Sequence, residues 1–293
     1  MVDKLSNNAA ITDKKRRPLE KIIYAMIYLL SAGVLAMVVY FVAVILIRGL
    51  PRITWTFLST APSAIEGTIG IFPSIANTLY IVIFALLLSV PIGVGGAIYL
   101  NEYAKSKRLV RTIEFAAETL AGIPSVLFGV FGYVVFCSLF GFGVSLIAGI
   151  CTLTIMVLPI MIRTSQEALR SVPHSYREGA LGMGSTKWYM VRKILLPSSL
   201  KGILSGIILS TGRMVSESAA LLMVAGGLAS QRMPGGLWTQ LTSPGASLSV
   251  NLYRYSYLRG DNDTAFGIAA VLLIIVILLN LLTRFIAGRL DRK

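Results

Sequence analysis

The stretch "SYREGALGMGSTKWYMVRKILLPSS", Ser175 to Ser199, decides how this chain is interpreted. It lies between two long apolar segments, but its own polar and apolar residues recur with a helical period, which predicts amphipathic helices outside the bilayer. Gly182 and Gly184 divide it into two short helices, and Pro197 is expected to begin the next long helix. A helix–turn–helix this compact presents a rigid protrusion to its compartment.

The rest of the chain is strongly apolar. Hydrophobic residues make up 55% of the 293 and charged residues only 14%, against about 25% charged in a soluble domain. Each apolar segment approaches or exceeds the roughly 20 residues that a helix needs to cross the hydrocarbon, and the strand alternation of a membrane barrel is absent. The fold class is therefore predicted as an all-α integral membrane protein with six transmembrane helices. The six segments are Ile22–Ile47, Phe72–Leu100, Leu120–Phe140, Val144–Ile162, Gly202–Gly226 and Ala265–Ile286.

The basic residues predict the orientation. Of the 27 Lys and Arg residues, twenty lie in the tail 1–21, the loops 101–112 and 170–201, and the C-terminal residues 284–293, and five lie in the alternate loops. The positive-inside rule then places both termini in the cytoplasm. The net charge of +14 accordingly indicates membrane topology rather than a nucleic-acid partner. Two arginines, Arg163 and Arg213, remain inside the helices.

These patterns predict the domain organisation. Residues 1–21 form a basic cytoplasmic tail, and residues 22–290 form the membrane domain, with a core of about 72–288. The loop 170–200 faces the cytoplasm and the loop 227–264 the exterior. The external loop is expected to hold a short re-entrant or interfacial element, or else to be mobile.

Little in the chain favours catalytic chemistry. Cys137 and Cys151 lie in apolar surroundings as small fillers, and His174 has no partner nearby for a metal, so no metal site is expected. The stretch "GALGMGSTK" is not a phosphate-binding loop, because Ser185 rather than lysine follows its last glycine. The chain is therefore expected to bind no cofactor and not to be an enzyme.

The loop 170–200 resembles the EAA loop of ABC-importer permeases. That pattern is Glu-Ala-Ala, three residues, Gly, nine residues, Ile, one residue and Leu-Pro. The matching residues here are Glu178, Gly179, Ala180, Gly184, Ile194, Leu196 and Pro197, with Gly179 in place of the usual alanine. The resemblance implies a type I importer permease whose coupling loop, residues 170–200, docks into a cleft of a cytoplasmic ATPase.

Within that family, residues 66–226 are similar to the phosphate-specific permeases, closest to their PstA subunits. The similarity lies in "GIFPSIANTLYIVIFALLLSVPIGVGGAIYLNEYA", "ETLAGIPSVLFGVFG" and "GRMVSESAALLMVAGG". In the last stretch Ser216 and Ser218 depart from the family's glycine and threonine. The resemblance implies uptake of inorganic phosphate across the bacterial plasma membrane.

The resemblance also implies the partners. They are a PstC-like second permease, two PstB-like ATPases that use ATP and Mg²⁺, and an extracytoplasmic PstS-like phosphate-binding protein.

Arg213 is the most informative residue inside the membrane. It lies eleven residues after Gly202, roughly 17 Å along a helix and so near mid-bilayer. A guanidinium suits an oxyanion because its donors are planar, bidentate and permanently charged. Glu217, at i+4, is expected to hold Arg213 in place, and the alternative is a buried ion pair that only fixes helix packing. Arg163 is interpreted either as a second anion station or as a side chain that reaches the interface.

Three other functions stay open. A stand-alone secondary anion transporter needs no coupling loop and often shows repeats with broken helices. A membrane enzyme lacks a nucleophile–base pair or a metal cluster in this sequence. An importer for sulfate, molybdate or phosphonate differs from a phosphate importer only through the resemblance.

Overall fold

The computed structural model describes residues 18–63, 68–226 and 235–290. Residues 1–17 of the predicted tail 1–21 and the beginning of the predicted external loop, 227–234, lie outside the described residues, as do 64–67 and 291–293. The last part of the predicted tail, 18–21, belongs to the first helix. The α-helices are α1 Pro18–Gly49, α2 Trp55–Ser59, α3 Phe72–Ile98, α4 Lys107–Ala121, α5 Ser125–Gly132, α6 Leu146–Arg170, α7 His174–Gly182, α8 Lys187–Met190, α9 Leu196–Ser216, α10 Ala219–Leu221, α11 Leu237–Thr242, α12 Leu248–Tyr253 and α13 Asn262–Leu290.

Short segments of other helix types extend these helices. A 3₁₀ turn, Leu50–Arg52, follows α1. The π-helical segments are Tyr99–Tyr103, Tyr133–Leu139, Val191–Leu195, Leu222–Gly226 and Arg254–Leu258.

The described residues form two compact units, one that ends at residue 47 and one that begins at residue 48. The first unit contains most of α1, which carries no charged residue between Lys21 and Arg48. The second contains all the other helices. The end of this second unit that carries residues 170–200 is called the coupling-loop end below, and the other is called the opposite end.

The prediction of six membrane segments is confirmed in the described residues. Five helices are long and apolar enough to span a bilayer: 21–52, 72–103, 146–170, 187–216 and 262–285. A pair of helices, 107–121 and 125–139, bent by 102°, brings the number to six when the pair is counted as one span. The bend falls at Gly122 and Pro124, because proline excludes the residue before it from the helical region.

The fifth predicted segment, Gly202–Gly226, has different bounds in the structure. The helix begins at Lys187 and runs unbroken to Ser216. Pro197 therefore does not begin the membrane helix: the π-helical turn Val191–Leu195 precedes it, and proline is tolerated in the first turn that follows, where it interrupts fewest hydrogen bonds. The second amphipathic helix of the coupling loop is thus the beginning of a membrane helix.

Small residues bring α6 and α9 together. A Cβ on Gly206 would overlap the Thr164 hydroxyl, and a Cβ on Gly202 would overlap the Ala168 side chain. Gly202 and Gly206 are four residues apart, which is the small-xxx-small pattern of closely packed membrane helices. Gly206 and Ser210 are accordingly buried, while Ser205 and Leu209 on the other side of α9 are exposed.

At the opposite end, the described part of the predicted external loop packs onto α3. Gln240 Nε2 donates to Asn77 Oδ1 at 2.6 Å, and the backbone N–H of Leu248 donates to Thr78 Oγ1 at 2.9 Å. Leu248 and Gln240 are buried. Residues 235–260 therefore form a folded pair of short helices, α11 and α12, and not a free loop.

The helix α13 begins at a polar cap outside its apolar run. The Asp261 carboxylate accepts a hydrogen bond from the Thr264 backbone N–H at 3.1 Å and another from the Thr264 hydroxyl at 2.6 Å. The hydrogen bond from the Thr264 hydroxyl is the largest cause that lowers the pKa of Asp261 below its ordinary value. A charged cap at this position favours the helix N-terminus.

Candidate functional site

The first helix of the coupling loop and the glycine turn after it fold as the sequence predicts, whereas the second helix continues into the membrane helix 187–216. The first helix is α7, and Gly184 follows it with φ +77°. That left-handed conformation costs other residues about 1–2 kcal/mol, which is why glycine stands at the turn. The second helix begins at Lys187, where the Thr186 hydroxyl accepts a hydrogen bond from the Tyr189 N–H at 3.3 Å.

The residues of the EAA pattern divide between two faces. Ala180 is buried, while Glu178 and Gly179 are exposed. A Cβ on Gly179 would meet nothing within 4 Å, so the alanine that the pattern usually has fits here without a clash. In the second half, Ile194 and Leu196 are half-buried and Pro197 is exposed.

Large apolar side chains cover the tip of the coupling loop. Met183 is 84% exposed and Trp188 60% exposed, and Tyr176, Leu181 and Tyr189 are exposed beside them. Exposed groups of aromatic and apolar side chains, rimmed by charges, mark interaction surfaces. This surface has the chemistry of a docking site for a protein partner.

Arg213 lies in the last turn of α9, three residues before the helix ends. It is half-buried, and within the described ranges its guanidinium has no hydrogen-bond or ion-pair partner. Arg213 lies one turn after the exposed Leu209 of α9. An unpaired guanidinium at a break in an apolar helix is available to an anion.

The expected contact between Arg213 and Glu217 is wrong. The helix ends at Ser216, and Glu217 takes an extended conformation, φ −74° and ψ 119°, so the i+4 relation does not hold. The buried Glu217 carboxylate instead accepts the Ala220 N–H at 3.1 Å, and the Glu217 carbonyl accepts the Ser249 hydroxyl at 2.7 Å. Glu217 therefore fixes the break in the helix and joins it to α12.

Arg163 has a different environment. Its guanidinium lies 3.1 Å from the Glu167 carboxylate and 3.6 Å from that of Glu118 on α4. The three side chains line a cavity of about 430 Å³ between α4 and α6, together with Glu114 and Arg170. Three carboxylates and two guanidiniums leave this cavity with no excess of positive charge. The assignment of Arg163 to the substrate pathway stays a prediction.

Sequence reasoning missed the polar pair that holds the coupling loop to the membrane helices. Arg177 Nε donates to Glu102 Oε1 at 3.1 Å, and both side chains are largely buried. The two residues are 75 positions apart, and only the number of charged residues near this end hinted at a pair. Asn77 and Thr78, two polar residues inside the α3 span, accept packing hydrogen bonds from Gln240 and Leu248.

The comparisons with known proteins agree with this architecture. Residues 89–293 match the family described as binding-protein-dependent transport system inner membrane component. The chain belongs to this family. Its members are transport subunits, so the chain is a multi-pass permease component of a bacterial plasma membrane and not an enzyme.

Relatives extend the similarity over most of the chain. The probable ABC transporter permease protein YqgI of Bacillus subtilis is 32% identical over 95% of this chain and 98% of its own length. The phosphate transport system permease protein PstA of Yersinia pestis is 34% identical over 83% of this chain and 80% of its own length. PstA 1 of Mycobacterium tuberculosis is 32% identical over 76% of this chain and 72% of its own length.

Solved structures show the same fold. A chain of the bacterial alginate ABC transporter, in complex with an alginate pentasaccharide-bound periplasmic protein, has a TM-score of 0.63 at 17% identity, over 94% of this chain and 95% of that one. A chain of the inward-facing MetNI methionine ABC transporter has a TM-score of 0.55 at 24% identity, over 76% of this chain and 93% of that one. The chain therefore shares its fold with these chains of ABC transporters.

Proposed function

We propose that this chain is a permease subunit of an ATP-driven importer of inorganic phosphate. Relatives named as phosphate transport system permeases, at 32–34% identity over most of the chain, support the substrate. In this proposal a PstC-like permease completes the pathway, and a PstS-like protein delivers phosphate from outside. A PstB-like ATPase dimer binds ATP and Mg²⁺, and this chain binds neither.

The observation that carries the proposal is the unpaired guanidinium of Arg213. Of the two arginines that lie inside the apolar segments, Arg163 lies beside Glu118 and Glu167, whereas Arg213 has no carboxylate partner in the described residues. A phosphate oxyanion gains two parallel charge-assisted hydrogen bonds from such a group. The helix that carries Arg213 is interrupted after Ser216, as are the helices of transporters that bind ions at such breaks.

The coupling loop supplies the connection to ATP hydrolysis. Its exposed tip, with Met183 and Trp188, docks on the ATPase, and Glu178 lies on the same exposed surface. Because α8 continues into the helix that carries Arg213, a displacement of the tip is transmitted along one continuous helix of 30 residues. The tip must then face the cytoplasm, as the positive-inside rule predicts.

Uptake of radiolabelled phosphate tests this function. Cells that lack the chain are compared with cells that carry it, at low external phosphate and at matched expression of the other subunits. We expect phosphate uptake only with the chain present, and competition by unlabelled phosphate but not by sulfate or molybdate. Uptake of sulfate or molybdate in place of phosphate would assign the chain to another oxyanion.

A further inference from the structure

The contact of α7 in the coupling loop with the membrane helices α3 and α6, called the joint below, is centred on one side chain, Arg177 of α7. The side chain of Arg177 is 13% exposed and that of its partner, Glu102, 8% exposed. In each of the other ion pairs of the described residues at least one side chain is more than half exposed. Arg177 is therefore part of the interior of the joint and does not face the docking surface.

The guanidinium of Arg177 connects three elements at once. Its Nε donates to Glu102 Oε1 at 3.1 Å, in the π-helical turn that ends the α3 span. Its Nη1 donates to the Val172 carbonyl at 2.9 Å and its Nη2 to the Leu169 carbonyl at 2.8 Å, where α6 ends. The last carbonyls of a helix lack partners within it and attract a cation. One planar group thus fixes α7 to α3 and to α6.

Glu102 receives support from both sides of the joint. Asn101 Nδ2 donates to Glu102 Oε1 at 2.6 Å, and Lys187 Nζ at the beginning of α8 lies 3.4 Å from the Glu102 carbonyl. An apolar cluster that includes Ala180, Leu195 and Leu169 packs beside these contacts. The apolar cluster holds the parts together, and the charged group sets their relative orientation.

Stability alone does not account for a buried pair at this place. The cost of removing two charges from water offsets most of their attraction, so a buried pair contributes little net stability compared with apolar residues. A planar guanidinium that donates to three separate groups does fix the relative orientation of the elements that carry them. Arg177 also precedes Glu178, which is exposed on the docking surface. A rotation of α7 therefore moves the guanidinium with it.

We infer that Arg177 is a positioning residue that transmits movements of the docked helix α7 to the membrane helices α3 and α6, with Glu102 as its counterpart. The inference rests on the proposed function, because it concerns how ATP hydrolysis in the partner drives transport through this chain. Without the guanidinium of Arg177, α7 still docks on the ATPase, but its rotation is not transmitted to α3 and α6. The partner then hydrolyses ATP without driving transport of phosphate.

The test uses the complete complex in proteoliposomes, with phosphate uptake and ATP hydrolysis measured on the same sample. Arg177→Lys keeps the charge but loses the fork, and Glu102→Gln keeps the shape and removes the charge. We expect both variants to assemble with the ATPase and hydrolyse ATP, while phosphate moved per ATP hydrolysed falls at least about fivefold. Arg192→Lys, an exposed arginine of the same loop, is the matched control and is expected to keep the wild-type ratio.

Four outcomes are distinguishable. A wild-type complex that moves no phosphate refutes the proposed function rather than the joint. A wild-type complex that transports, beside variants with an unchanged transport-to-hydrolysis ratio, overturns the role of Arg177. Loss of the ATPase from both variant complexes also overturns it, because the pair is then only a folding element. A reduced ratio in both variants, which does not fall further in the double variant, supports a single connected unit.

Discussion

The helix that runs from Lys187 to Ser216 ends in two different ways. At the coupling-loop end, the Thr186 hydroxyl caps it, Met190 and Leu195 are buried, and Lys187 contacts the Glu102 carbonyl. At the other end, the helix stops without a glycine or proline, and Arg213 has no partner in the described chain. The coupling-loop end, called the satisfied end below, is held by hydrogen bonds and apolar packing and is suited to transmit a displacement. The end near Ser216, called the unsatisfied end, leaves a guanidinium that a ligand can bind.

The largest effect is expected from Arg213→Ala at the unsatisfied end. Charge-assisted hydrogen bonds are worth about 1.5–3 kcal/mol, so phosphate uptake is expected to fall about ten- to a hundredfold while the complex still assembles. Arg213→Lys keeps the charge but loses the bidentate fork, so partial uptake is expected. Uptake of labelled phosphate at matched expression measures both.

The double variant Arg213→Ala with Glu217→Ala separates an anion site from a packing element. If the two residues served only as a pair, removal of both would restore uptake, since no buried charge is left alone. The structure shows Glu217 bonded to Ala220 and not to Arg213, so the double variant is expected to stay inactive. Near-normal uptake by the double variant would contradict a role in anion handling.

Between the two ends, the same helix offers a matched pair of glycines. Gly206→Ala forces the Thr164 side chain aside, whereas a Cβ at Gly212 would meet nothing within 4 Å. Overpacking costs about 1–3 kcal/mol, so Gly206→Ala is expected to lower the thermal unfolding temperature of the protein in detergent. Gly212→Ala gains helix propensity without a clash and is expected to leave it unchanged or raise it. Equal unfolding temperatures would mean that α6 and α9 do not pack closely here.

A smaller effect than that of Gly206→Ala is expected from a change in the glycine turn at Gly184, which precedes the satisfied end of the helix. Gly184→Val forces a β-branched residue into φ +77°, at about 1–2 kcal/mol, and so displaces the tip of the coupling loop. The ATPase is expected to co-purify less and uptake to fall, while the protein stays in the membrane.

Gly182→Ala is the matched control for that turn, because Gly182 is helical and a Cβ there meets nothing within 4 Å. It is expected to retain the ATPase and uptake of wild type. Full co-purification and normal uptake with Gly184→Val would remove the glycine turn from the coupling mechanism.

The difference between the two ends also explains what sequence could predict. The glycine turn, the two short helices and the apolar spans depend on local chemistry, and local chemistry is visible in order along the chain. The bend between the helices 107–121 and 125–139 also has a local cause, because Gly122 and Pro124 lie at the bend itself. These features needed only residues a few positions apart.

The features that the sequence concealed depend on distant partners. The stretch from Gly212 to Ser218 has no residue that ends a helix after Ser216, and the break is stabilised by Ser249, 32 positions away from Glu217. The pairing of Arg177 with Glu102 joins residues 75 positions apart. A helical period predicts which residues share a face, but not which partner that face meets.

The smallest effect is expected from the cap of the satisfied end. Thr186→Ala removes the acceptor for the Tyr189 N–H, and loss of such a cap costs about 0.5–2 kcal/mol. Thr186→Ser keeps the hydroxyl and is the control. Because the apolar cluster around Met190 and Leu195 still holds the helix, we expect Thr186→Ala to lower the thermal unfolding temperature by a few degrees and to leave phosphate uptake near wild type. Thr186→Ala could instead reduce uptake as strongly as Arg213→Ala at equal protein levels. The satisfied end would then be part of the ligand pathway, and the proposed difference between the two ends would be wrong.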